Sequence, residues 1–185
     1  MAELSGTRVA LLVAPRGTEE PEFTEPRTAL LEAGAEVHVI STSEGQAQTV
    51  NGDLDPGGSY DIDKTIGQVE AGDYAGVVIP GGTVGADTLR ADSDGVTCVR
   101  SCVEQGKPVA AICHAPWVRV EAGVLDGRRL TSYPSLQTDI RNAGGTWVDE
   151  EVVVDAGLVT SRNPDDLPAF CAKVVQEIAQ DPAST

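Results

Sequence analysis

Short apolar, β-branched runs recur along this chain with room for a helix between them, and this alternation limits the fold more than any other feature. Residues 8–14 (RVALLVA), 37–41 (VHVIS), 76–80 (GVVIP), 109–112 (VAAI) and 158–161 (LVTS) read as strands. The longest of these are apolar at successive rather than alternate positions, the mark of strands buried on both faces of a mostly parallel sheet. Helical patterns fill the gaps. One covers residues 23–33, with Pro26 placed in its first turn and Gly34 as its stop. Others cover residues 93–105, ended by Gly106, residues 135–142 and residues 167–179. Shorter strands are expected at 129–131, 146–148 and 152–155. Residues 42–75 are polar and Gly-rich, with a short helix expected near 63–70, and the final QDPAST reads as a loose tail. The expected fold class is α/β: a three-layer αβα sandwich around a mostly parallel sheet, in a single domain over residues 1–185.

Composition removes several functions. Thirteen Lys and Arg stand against 29 Asp and Glu, a formal charge of −16. Such a surface repels phosphate backbones and anionic lipids, so neither nucleic acid nor membrane is an expected partner. The start, MAELSGTRVALLVA, carries acidic Glu3 where an export signal has a basic region, and no apolar stretch approaches bilayer-spanning length. Cys98, Cys102, Cys113 and Cys171 lack zinc-site spacing, so free thiols in a reducing cytoplasm are expected.

In a parallel sheet of this kind, ligands gather at the C-terminal ends of the strands. That rule selects three loops: residues 15–22, 81–90 and 113–117. The third carries AAICHAPW, in which Cys113 stands between an apolar strand and the start of a helix. Backbone N–H groups at such a turn favour a thiolate, and the adjacent His114 can move a proton. A buried structural cysteine is the plain alternative. Its place at the strand tip beside a histidine favours chemistry. Cys98 and Cys102, one helical turn apart, and Cys171 beside Phe170 read as core fillers, and His38 inside VHVIS reads as a packed or surface residue.

The second loop follows a buried strand with Gly81-Gly82, which lets backbone N–H groups approach a developing negative charge. It lacks the Lys-Ser/Thr of a phosphate-binding loop. Asp87, further along it, reads first as a solvated acid. The first loop carries Glu19, Glu20 and Glu22, whose plain role is to stabilise a helix N-terminus. One of them, set close to the Cys113 sulfur, would have to keep its proton and donate it.

Together these loops resemble the ThiJ/PfpI family, within the class I glutamine-amidotransferase-like superfamily. The matching stretches are TEEPEFTEPRTALLEAGAEV (18–37), VVIPGGT (77–83), GKPVAAICHAPW (106–117), LTSYPSLQTDIRNAGGTWVDEEVVVD (130–155) and LVTSRNPDDLPAF (158–170). The histidine directly after the cysteine and the VDEEVVVD ending resemble the PfpI-type branch. The resemblance implies a flavodoxin-like sandwich with Cys113 as nucleophile, Glu22 as a protonated acid bonded to its sulfur, and His114 as base. It implies an oxyanion site at Gly82 and the His114 N–H. It also implies that an acidic residue of a partner subunit, here Asp87, orients His114, and hence a homodimer or hexamer. Two residues depart from the family pattern. Ala115 stands for a common Gly, where a methyl would narrow the mouth of the site or alter the turn, and Trp117 stands for a common Gln.

The activity that the resemblance implies is that of a cofactor-independent, metal-free glyoxalase or protein deglycase. Its substrates would be small dicarbonyls such as methylglyoxal, or glycated proteins. An intracellular cysteine peptidase needs the same thiol plus an extended groove. A redox sensor or chaperone would use an oxidisable Cys113 without turnover.

Overall fold

The computed structural model describes residues 3–180. The chain opens with β1 (Arg8–Leu12), β2 (Arg16–Glu19), α1 (Glu20–Glu32) and β3 (Glu36–Ser41). A hairpin follows, β4 (Gln46–Asn51) and β5 (Asp55–Asp61), then the two-residue β6 (Lys64–Thr65) and β7 (Gly76–Ile79). The second half runs through α2 (Thr83–Arg90), α3 (Ser93–Glu104), β8 (Val109–Ile112), α4 (Pro116–Ala122), β9 (Arg129–Leu130) and α5 (Gln137–Asn142). It closes with β10 (Thr146–Trp147), β11 (Val153–Asp155), β12 (Leu158–Ser161) and α6 (Leu167–Gln180).

Among the described residues, seven strands form the central sheet in the order β11-β12-β8-β7-β1-β3-β6. All pairs are parallel except the edge pair β11–β12. Period-two alternation along β1 explains the layers. Val9, Leu11 and Val13 enter one core with Phe23 and Leu30 of α1 and Phe170, Val174 and Ile178 of α6. Ala10, Leu12 and Ala14 enter the other with Leu89 of α2, Val96 and Val99 of α3, and Val118 and Ala122 of α4. In α6 the buried Leu167, Phe170, Val174 and Ile178 follow helical spacing along one stripe. Each such side chain contributes roughly 1.5–3 kcal/mol when fully buried. The fold is the expected α/β sandwich.

The principal parallel strands β1, β3, β7, β8 and β12, numbered by their sequence order, lie in the order 2-1-3-4-5. The switch point of a sheet so wound falls between the first and third strands, here β1 and β7, and a crevice opens there at the strands' C-terminal ends. Chain leaving β1, β7 and β8 must therefore meet at one place.

Several expectations need correction. Helix α1 begins at Glu20, so Pro26 lies in its second turn and not its first. Lacking an N–H, Pro26 leaves the Glu22 carbonyl without its helical partner. Residues 16–19, read as loop, form β2, and the polar tract after residue 42 forms β4 and β5, which join β2 in a separate three-stranded sheet. The helix expected near 63–70 is a strand followed by a single 3₁₀ turn, Ile66–Gln68. Of the expected tail, Gln180 ends α6 and residues 181–185 lie outside the described residues. No helix among the described residues is long and apolar enough to cross a membrane.

Candidate active site

Cys113 follows β8 with φ of +63°, a left-handed conformation that a residue with a Cβ seldom adopts. The surroundings fix this turn. Its N–H donates to the Ser161 carbonyl at 3.1 Å, and its own carbonyl accepts from Tyr133 N–H at 2.9 Å. Helix α4 starts only at Pro116, and Gly123 in the left-handed conformation ends it. Cys113 is buried, 6% exposed. Two backbone N–H groups reach its sulfur, those of Gly82 and His114.

The Gly81-Gly82 turn has room for nothing larger. A Cβ on Gly81 would lie 2.5 Å from Glu22 Oε2 and 2.7 Å from Cys113 Cβ. On Gly82, whose φ is +94°, it would lie 2.1 Å from the Gly17 carbonyl oxygen. Glycine is demanded at both positions because backbone passes this close to the sulfur and to the loop after β1.

Glu22 projects from the first turn of α1 and is 0% exposed. Its Oε2 accepts the Gly81 N–H at 2.8 Å. The carboxyl also interacts with the Cys113 side chain, and Oε1 is left without a partner of ordinary hydrogen-bond geometry. Burial pushes this carboxyl up to about 8; the charges of Glu19 and Asp53 add to that, while the Gly81 N–H and the thiol oppose it. At neutral pH Glu22 therefore holds its proton, and Oε1 is the oxygen free to carry it.

The sulfur is governed by the same burial. Desolvation pushes the Cys113 thiol above the ordinary range and the Glu22 charge adds to this, while the Gly82 and His114 N–H groups pull it down. The sequence expectation is that the backbone N–H groups of this turn favour a thiolate. Burial opposes it. The Glu22 contribution applies only to an ionised carboxylate, so the two acids compete for a single negative charge.

His114 places Nδ1 3.0 Å from Cys113 Sγ. Burial lowers the imidazole's pKa, opposed by the charge of Asp53, so at neutral pH the ring is uncharged and able to accept a proton. The ring stacks on Tyr133 at 4.6 Å between centroids and meets Trp117 edge-on at 5.3 Å. Arg90 lies over the Trp117 ring, and Trp117 Nε1 donates to Asp139 at 2.7 Å. Ala115 is buried against the core that contains Val118, so its methyl does not narrow the mouth as expected.

Cys113, His114, Glu22 and Gly82 thus come together from three strand tips. Asp87 does not join them: it is exposed on α2, and the part given to it by resemblance concerns a second copy of the chain. The three acids of the first loop have separate tasks. Glu20 accepts from Thr49 and Gly58, tying α1 to the small sheet, and Glu19 accepts the N–H groups of Gly52 and Asp53 at 2.7 and 3.1 Å. The sequence reading missed Thr83, Asp53 and Ser135, which line the other side of His114. Asp53 sits in an Asn-Gly-Asp turn far away in sequence, and no spacing signal links it to the site. The other cysteines stand apart; Cys102 is buried in the core, and all four are free. His38 is packed between Tyr74 and Glu36.

Comparison with known proteins follows the same lines. The family model described as "DJ-1/PfpI family" matches residues 7–177. The chain is 43% identical over 164 residues to Protein/nucleic acid deglycase 2 of Escherichia coli, covering 88% of this chain and 92% of that one. It is 44% identical over 153 residues to General stress protein 18 of Bacillus subtilis, covering 82% and 87%. Among solved structures, a two-domain Anabaena variabilis protein with DJ-1/ThiJ/PfpI-like and ferritin-like domains superposes with a TM-score of 0.87 at 34% identity. That match covers 96% of this chain and 49% of the longer two-domain protein.

Proposed function

The chain belongs to the DJ-1/PfpI family, and on that footing we propose that it is a cysteine-dependent deglycase and glyoxalase in stress protection. It acts on methylglyoxal-type dicarbonyls and on the early adducts they form on proteins. The observation that carries this reading is the 3.0 Å approach of His114 Nδ1 to Cys113 Sγ on a strained strand tip. The name of the Escherichia coli relative supports the substrate class. That name includes nucleic acid. The charge of −16 on this chain opposes a polyanion, so protein and free dicarbonyl are the substrates proposed here.

Each step is carried by the chain's own residues and water. The Cys113 thiol passes its proton to His114 Nδ1 as the sulfur bonds to the aldehyde carbon. The Gly82 and His114 N–H groups, which interact with the sulfur at rest, stabilise the oxyanion that forms beside it. Protonation gives a hemithioacetal. His114 then relays the carbon-bound proton to the neighbouring carbonyl carbon, converting the adduct to a lactoyl thioester with no net oxidation. Water breaks the carbon–sulfur bond, releasing lactate and restoring the thiol. On a protein adduct, cleavage of the carbon–nitrogen bond returns the amine.

Exposed Leu54 and Val84 flank the contact between Asp53 and Thr83, an apolar surface suited to a second copy of the chain, and we propose a homo-oligomer. Free cysteines suit a reducing compartment, and the cytoplasm is the proposed location.

Purified protein incubated with methylglyoxal should form lactate, and should restore free amines on freshly glycated albumin, with both activities lost in Cys113→Ala. Cleavage of unfolded casein without dicarbonyl turnover would replace this reading with a peptidase. Oxidation of Cys113 without either activity would replace it with a redox sensor.

A further inference from the structure

A neutral imidazole can accept the Cys113 proton at Nδ1 only if its own hydrogen is on Nε2. Nothing in the Cys113–His114 contact fixes that choice. The far side of the ring does. Thr83 Oγ1 lies 3.3 Å from His114 Nε2, and the same hydroxyl lies 3.0 Å from Asp53 Oδ2. A carboxylate only accepts, so the Thr83 hydroxyl donates to Asp53 and is left to accept from Nε2–H. Directionality then runs through the whole chain of contacts, from the sulfur's proton to Nδ1 and from Nε2–H through Thr83 to Asp53.

We infer that Asp53 and Thr83 are positioning residues that hold His114 in the Nε2–H tautomer from within the same subunit. The inference rests on the proposed role of His114 as base and adds what orients it. Asp53 is itself held in place. It has φ of +64°, and the Glu19 carboxylate clamps its turn by accepting the N–H groups of Gly52 and Asp53. The turn comes from the β4–β5 hairpin, so the small three-stranded sheet has a purpose beyond packing. It brings a carboxylate to the N-terminus of α2.

A simpler role exists for Asp53. Its Oδ1 accepts the Thr83 N–H at 2.6 Å, which caps α2 whatever happens at His114. Thr83→Val separates the two roles. It keeps the backbone N–H, and so the cap, and removes only the hydroxyl. Ser135 Oγ, 3.4 Å from the same ring nitrogen, is the competing partner inside the chain, and Asp87 of a second copy is the competing partner outside it.

The test is nitrogen-15 NMR of histidine-labelled full-length protein, above the imidazole's ordinary titration range. Only two histidines are present, and His38, held by Tyr74 and Glu36, is an internal control. In the parent protein, His114 is expected to show a protonated Nε2 and an unprotonated Nδ1. Thr83→Val and Asp53→Asn should move both signals toward a tautomer mixture, and Thr83→Ser should restore them. Ser135→Ala and Asp87→Asn should leave them in place. Turnover of methylglyoxal should follow: kcat falls about tenfold or more in Thr83→Val, with KM little changed and Thr83→Ser recovering most of the loss. Unchanged His114 signals in Thr83→Val, or a shift caused by Ser135→Ala or Asp87→Asn instead, would overturn the inference. Loss of turnover in every variant with the tautomer intact also counts against it. Turnover surviving in Cys113→Ala would instead refute the proposed function while leaving the tautomer assignment standing.

Discussion

His114 turns Nδ1 to the sulfur of Cys113, its neighbour in the chain, at 3.0 Å, and keeps Nε2 for the Thr83 hydroxyl. Side chains of adjacent residues ordinarily diverge. Here the positive φ at Cys113 and the packing of the ring against Tyr133 and Trp117 bring them together. Burial favours the neutral form of both groups, and in the proposed mechanism charge appears only when substrate arrives.

Removing the base tests this division of labour. His114→Asn should fold, with circular dichroism unchanged, and should lose about 10²–10⁴-fold in kcat toward methylglyoxal. Assay at neutral pH is sufficient, because burial already keeps the imidazole uncharged there.

Glu22 should leave a signature in stability against pH. Its folded-state pKa is raised to about 8 from the ordinary carboxyl value of 4.5, so between those values the folded chain binds a proton that the unfolded chain has released. Stability from this group is therefore complete below the ordinary carboxyl range and falls as pH rises toward 8, by about 1.4 kcal/mol for each pH unit. Denaturant titrations across that window should show the decline in the parent protein and a flatter profile in Glu22→Gln.

The Gly82 turn makes a purely steric prediction. In Gly82→Ala the new methyl meets the Gly17 carbonyl at 2.1 Å on a backbone with φ of +94°. Backbone strain alone costs roughly 1–3 kcal/mol, and displacement of the first loop adds to it. At roughly 2–4 °C per kcal/mol, a melting-temperature loss near 10 °C is expected by calorimetry.

Much of this was legible before the structure. Continuous apolar runs gave the central strands, and the rule of strand C-termini brought Cys113, Gly82 and Glu22 to one crevice. What stayed hidden lacked hydrophobic pattern. Strand β5 reads DPGGSYD, with no apolar alternation, and is held by hydrogen bonds to β4 and by Glu20. Asp53 reaches His114 through a hydroxyl thirty positions along the chain from it, a contact that only tertiary folding creates. Burial opposes the expected thiolate, and sequence displays the N–H groups around a turn but not burial.

Assembly bears on Asp87. The 19.2 kDa chain is expected to sediment at twice its mass or more. Full turnover by a population that is monomeric at assay concentration would remove Asp87 from any contact with His114.

The most direct test of the central claim, that His114 Nδ1 takes the proton from Cys113, is the alkylation rate of Cys113 against pH. It should be read residue by residue by mass spectrometry in the parent protein and in His114→Asn. The account predicts a parent rate that rises below pH ~6.5 and is level through neutrality, and a variant rate that is slow at neutral pH and climbs only under alkaline conditions. Superimposable curves, or a Cys113 that stays unlabelled in the folded protein while Cys98 and Cys171 react, would contradict it.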